Sequence, residues 1–182
     1  VLDRVYQIPD TPAPLFGEAH ARAFVTSGDC VWNVWRYVFS REFIERNGLV
    51  FREGYNIAED LEFMVRALTA CRRPVFFHEP YYRYRVNYGA SLTRVYTAER
   101  VRQFTEMVSR ARETLDVRLQ PWTPALLKKL AGEYVLNLAV CRQVPCEERE
   151  TALSYFRNTW SVLCGADGAL ARLARVSVST VG

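Results

Sequence analysis

Glu59 and Asp60 are adjacent carboxylates at the head of a stretch with helical periodicity, directly after the loop Glu53-Gly-Tyr-Asn56. A carboxylate in that place accepts backbone N–H groups and feels the positive end of the helix dipole. It can serve as a plain N-terminal cap, or as a base held at the mouth of a cleft by a rigid helix. Neighbouring helical residues point in different directions, so one of the pair acts on a given site while the other braces the loop. A second cluster is Tyr81-Tyr-Arg-Tyr-Arg-Val-Asn-Tyr-Gly-Ala-Ser91. On a strand, Arg83 and Arg85 share one face, and Tyr82 and Tyr84 share the other. Two guanidiniums followed by a Gly-Ala-Ser turn suit a diphosphate. An amphipathic edge strand with solvated arginines fits the same residues. The third cluster is Trp32-Asn33 with Trp35-Arg36, where an indole face either stacks on a sugar ring or packs into a core.

A mixed set of elements must position these side chains. Residues 1–30 begin irregularly, with Pro9, Pro12 and Pro14 opposing a helix, and Gly17 to Thr26 can form a short one. The β-branched and aromatic run Cys30–Phe39 predicts a strand. Ser40 is placed to cap a short helix over Arg41–Arg46, closed by Asn47-Gly48. From Ala58, the spacing of Leu61, Met64, Val65 and Leu68 predicts a helix that Pro74 ends. Val75–His78 and Tyr81–Val86 read as strands separated by Glu79-Pro80. After them the chain turns helical. Val101, Phe104, Val108, Ala111 and Leu115 form an apolar stripe on a helix over 97–116, and Leu127, Leu130, Tyr134, Leu138 and Cys141 form another. Pro145 can open a further helix with Leu153, Phe156, Trp160 and Leu163 on one face, and Gly165–Gly182 is weakly helical. Three or four short strands are too few for a self-contained sheet covered by helices on both faces. The expected fold is therefore mixed α/β: a partial sheet over residues 1–95, the remainder of a larger one, followed by a helical C-terminal region over 96–182.

The clusters and elements form one ordered series: Val-Trp-Asn-Val-Trp-Arg-Tyr-Val-Phe-Ser-Arg-Glu-Phe-Ile (31–44), Gly48-Leu-Val-Phe-Arg-Glu-Gly54, Ala58-Glu-Asp-Leu-Glu-Phe63, Tyr82-Arg-Tyr-Arg85 and Ser91-Leu-Thr93. Over about residues 28–95 this series resembles the acceptor-side half of family-2 glycosyltransferases of the A-type fold, whose sheet is that of the nucleotide-diphospho-sugar transferases. The resemblance implies an inverting sugar transfer from a nucleoside-diphosphate sugar to an acceptor hydroxyl, with Asp60 as catalytic base. Glu59, Trp32, Asn33 and Arg36 are the implied substrate contacts on one side, and Tyr84, Arg85 and Ser91 on the other. It further implies a bacterial enzyme of polysaccharide and cell-envelope synthesis, cytoplasmic and peripheral at the inner face of the membrane, acting on a glycan or lipid-linked acceptor. Such enzymes neutralise the departing diphosphate with Mg²⁺ or Mn²⁺ held by an Asp-x-Asp pair, since hard oxygen ligands suit those ions. No Asp-x-Asp occurs in the 182 residues, and only 59 residues precede Asp60. The expectation is a fragment without the donor-binding half, inactive alone and with no metal site of its own. A chain that starts at Val1 rather than Met fits that expectation. The alternative is a non-catalytic helical interaction module in which Glu59-Asp60 is only a cap.

Composition narrows the remaining classes. The chain is 49% hydrophobic, 24% charged and 13% aromatic, which is ordinary for a globular domain and argues against disorder. No run approaches the length of a membrane-spanning helix, and the start lacks the layout of a secretory signal. Five cysteines without a CxxC pair point to free thiols rather than a disulfide framework or zinc knuckle. The two histidines, His20 and His78, form no metal-binding pattern. Residues 1–90 carry 11 cations and 11 anions, and residues 91–182 carry 13 and 9, a net +4 too scattered for nucleic acid. Residues 83–118 hold eight arginines against four acids, which suits a membrane surface.

Overall fold

A computed structural model describes residues 25, 32–72, 82, 96–118 and 120–164 of the chain. Ser40 starts the first α-helix, α1 (Arg41–Arg46), because its hydroxyl accepts the Phe43 N–H at 3.2 Å and satisfies a donor the helix leaves unpaired. Asn47 and Gly48 close it, with Gly48 at φ +58°, a left-handed conformation that glycine adopts without a Cβ clash. The next helix, α2 (Glu59–Ala70), buries Leu61, Met64 and Val65 and stops before Pro74 is reached. Its last carbonyls are satisfied from outside: Gln120 Nε2 donates to Thr69 O at 2.9 Å, and the Trp122 indole N–H donates to Leu68 O at 3.3 Å.

The long helix α3 (Ala98–Val117) begins at Thr97, whose hydroxyl accepts the Arg100 N–H at 3.3 Å. Glu148 takes the Ala98 N–H at 2.7 Å, a carboxylate at the positive end of a helix dipole. α4 (Thr123–Val140) carries Pro124 in its first turn, where the missing N–H removes no intrahelical bond. A 3₁₀ turn, Cys141–Gln143, leads from α4 to α5 (Cys146–Cys164).

α3 is the hub of the fold and packs against α2, α4 and α5. Phe104, Val108, Ala111 and Leu115 of α3 share one core with Leu61, Met64 and Val65 of α2. The same core takes in Leu126, Leu130 and Tyr134 of α4 and Ala152, Phe156 and Leu163 of α5. Each large apolar side chain buried there contributes about 1.5–3 kcal/mol. Tyr134 meets Phe156 edge-on with ring centroids 5.0 Å apart, and its hydroxyl donates to the Phe156 carbonyl, so the buried phenol leaves no donor unpaired.

The α/β expectation is overturned. The described residues are 73% helical and include no strand and no sheet. In place of a strand ending at Phe39, the chain makes a 3₁₀ turn, Val34–Arg36, with extended residues on either side. The N–H groups of Arg36 and Tyr37 bond back to Asn33 O and Val34 O, both at 3.1 Å, instead of to a neighbouring strand. β-branched and aromatic residues are enriched in strands because they fit a half-buried surface. Here aromatic contacts supply that surface. Phe39 stacks on Phe43 at 6.3 Å and meets Phe63 of α2 edge-on at 5.6 Å. The expected strands Val75–His78 and Tyr81–Val86 lie outside the described residues except for Tyr82, as do residues 1–24 and the tail Gly165–Gly182. No helix among the described residues is long and apolar enough to cross a membrane.

Candidate active site

Asp60 is the second residue of α2, and its side chain reaches back to the 3₁₀ turn, where Oδ2 accepts the Val34 N–H at 3.3 Å. That bond joins two of the clusters. Asn33 precedes the turn, Trp35 and Arg36 lie within it, and Glu59 is the first residue of α2. Tyr82, from the Tyr81–Ser91 cluster, stacks on Trp35 with ring centroids 5.0 Å apart and planes 25° apart. Asn33 and Arg36 thus flank the residue that Asp60 holds, Glu59 stands beside Asp60 on α2, and all four are half-buried. Trp32 goes elsewhere: it is 7% exposed and part of the core, so its indole face is taken by packing. Tyr84, Arg85 and Ser91 lie outside the described residues.

The electrostatics of Asp60 run against the simple helix-terminus expectation. Burial pushes its carboxyl above the ordinary aspartate value, and repulsion from Glu59 adds to the rise, while the Val34 N–H works the other way. A raised carboxylate is a stronger base, closer to what proton abstraction near neutral pH needs.

Two supports for this corner are barely marked in the sequence. Glu62, 1% exposed, pairs with Arg52 at 3.2 Å and Arg66 at 2.8 Å. Arg66 also donates to Gly48 O at 3.3 Å and to Val50 O, so a cluster around the buried Glu62 carboxylate pins the 48–52 segment onto α2. The spacing of Glu62 and Arg66 is the only hint visible beforehand, because residues four apart meet on a helix face. The second support comes from α3. Gln103 Oε1 accepts the Asn56 N–H at 3.1 Å, and its Nε2 donates to Gly54 O at 3.3 Å. Tyr55 donates its hydroxyl to Glu106, which Arg102 and Arg110 hold from the other side.

Over 57 residues the chain is 40% identical to the uncharacterized glycosyltransferase EpsJ of Bacillus subtilis (strain 168). The likeness is to a glycosyltransferase. It covers 31% of this chain and 17% of EpsJ, so the chain spans well under two thirds of that protein. No family model matches the chain, and no solved structure matches it.

Among the described residues, no donor set suits a divalent cation. Among them, no three Asp, Glu, His or Cys side chains stand together, and one Asp60 oxygen is engaged by Val34. Hard cations need several convergent oxygens. Cys71, Cys141 and Cys146 are free thiols. Burial raises the Cys141 thiol to about 11, so it is neutral and packs as a small apolar residue.

Proposed function

We propose that the chain belongs to a glycosyltransferase that moves a sugar, with inversion, from a nucleoside-diphosphate sugar to an acceptor hydroxyl. Asp60 is the base. As the acceptor oxygen attacks the anomeric carbon, its proton passes to the Asp60 carboxylate. The anomeric C–O bond breaks, and the nucleoside diphosphate leaves with the bonding electrons. The observation that carries this reading is the Asp60 carboxylate itself, fixed through Oδ2 on the Val34 N–H and made more basic by burial. A carboxylate has a second oxygen with which to take a proton, and anchoring the first fixes its direction. Trp35 follows Val34 in the turn, and it and the exposed Tyr82 stacked on it offer apolar surface to the ring of a glycan or lipid-linked acceptor. To meet the diphosphate the sequence offers Arg83 and Arg85 with the Gly89-Ala90-Ser91 run. The likeness to EpsJ supports the reaction class.

A second reading rests on the same bond. If the Asp60–Val34 contact only ties the 3₁₀ turn to α2, the chain is a helical interaction module. The two readings part on Asp60→Asn in the full-length protein. Asparagine keeps an acceptor for the Val34 N–H, so stability should change by less than about 1 kcal/mol. Loss of a general base should cut transfer by about 10²–10⁴-fold. Glu59→Gln should reduce transfer less than Asp60→Asn does. An Asp60→Asn protein that melts normally and transfers sugar at the unaltered rate ends the catalytic assignment and leaves the module.

A further inference from the structure

The route by which Asp60 reaches Val34 is an unusual one. Its helix starts from Ala58 in the left-handed region, φ +59° and ψ +13°, with no side-chain cap. An alanine there carries a steric cost of about 1–2 kcal/mol that glycine would avoid. Gly54, earlier in the same loop, sits at φ +83°. A loop in such a conformation persists only when its surroundings hold it there. The surroundings are one face of α3.

Gln103 is 8% exposed on that face. Its carbonyl takes the Asn56 N–H and its amide donates to Gly54 O. A further bond at 3.0 Å to Glu99 Oε1 fixes the orientation of the amide. A side-chain amide has one acceptor and two donor hydrogens, and all three functions are used. Leu, Met or Glu in the same volume cannot replace both halves of the clasp. Tyr55 and Glu106 add a second tie one turn along α3, but that tie holds a side chain rather than the backbone path.

We propose that Gln103 is a positioning residue for Asp60, its amide clasping the backbone at Gly54 and Asn56 so that the loop delivers the carboxylate to Val34. The proposal rests on Asp60 being the base, and its test separates the two. The full-length protein is compared with Gln103→Met by amide hydrogen exchange and by transfer rate. A merely structural glutamine loosens the whole molecule, and the Val34 amide then speeds up only as much as the Val108 amide in the core of α3. A positioning glutamine loosens Val34 specifically. Its exchange should rise at least roughly five- to ten-fold relative to Val108, because one lost hydrogen bond is worth about that factor and Gln103→Met removes more than one, and kcat should fall by at least as much. Val34 exchange that tracks Val108 overturns the proposal whatever Asp60→Asn does. A loosened Val34 with unchanged kcat also overturns it; loss of transfer in Asp60→Asn would then show that the base assignment stands without it. If Gln103→Met does not fold, Gln103→Glu is read the same way. It keeps an acceptor for Asn56 and loses the donor to Gly54, so the same loosening and fall in kcat are expected.

Discussion

Asp60 sits between opposed influences, and their balance sets what its substitution does. Its folded-state carboxyl holds a proton more tightly than the unfolded chain does. As pH rises through the window from the ordinary to the raised value, the unfolded chain releases that proton first, so this group's contribution to stability falls. Asparagine does not ionise, so the Asp60→Asn protein should be at least as stable as the unaltered one at neutral pH, with the advantage fading toward acid. Cys141 gives a second check at this scale. Its thiol is raised to about 11 and buried, whereas Cys146 is exposed. Thiolate is the reacting form. At about pH 8 an alkylating reagent should therefore label Cys146 in the native protein and Cys141 only after unfolding, read by mass spectrometry. Rapid native labelling of Cys141 would contradict its placement. The place of Asp60 at a helix start was legible in the sequence because a carboxylate there is a local pattern. Glu62 was not, because a buried carboxylate is recognisable only once Arg52 and Arg66 are seen around it.

At the scale of elements, local chemistry carried furthest where it closes on itself. Ser40, Asn47 and Gly48 mark both ends of α1 because a cap involves only its own turn. The run ending at Phe39 misleads for the opposite reason. A strand exists only through a partner's N–H and C=O groups, and here Asp60 and the turn's own carbonyls take that place. Residues 48–52, between α1 and α2, are tied to α2 around one buried carboxylate. Glu62→Gln removes the charge that pairs Arg52 and Arg66 and leaves the largely buried Arg66 cation with neutral acceptors alone. Truncating one partner of a buried pair costs about 3–5 kcal/mol, with the lower end expected here because glutamine still accepts a hydrogen bond. Urea unfolding measures this, and a loss below about 1 kcal/mol would show that the cluster is not what holds the segment.

Across the whole molecule, the apolar stripe of α3 was readable as a period, and Phe104, Val108, Ala111 and Leu115 are all buried. That α3 would be covered on several sides was not readable, and this is why Gln103, Thr105 and Met107 are buried beside the stripe. Hydrophobic period gives one face of a helix; the number of neighbours comes from tertiary packing. On α4 the register shifts in the same way, with Leu126 fully buried where Leu127 is only partly so. This packing puts the loop before Asp60 under the control of α3, so the site belongs to the fold as a unit rather than to one motif. The most direct test of the account is the dependence of sugar transfer on pH in the full-length protein at saturating donor. A base that must be ionised gives a rate that rises with pH through one ionisation, with its midpoint above the ordinary aspartate value of 3.8. In Asp60→Asn that rise should be absent and the remaining rate about 10²–10⁴-fold lower. A rise of the same midpoint and height in Asp60→Asn would contradict the assignment of Asp60 as the base.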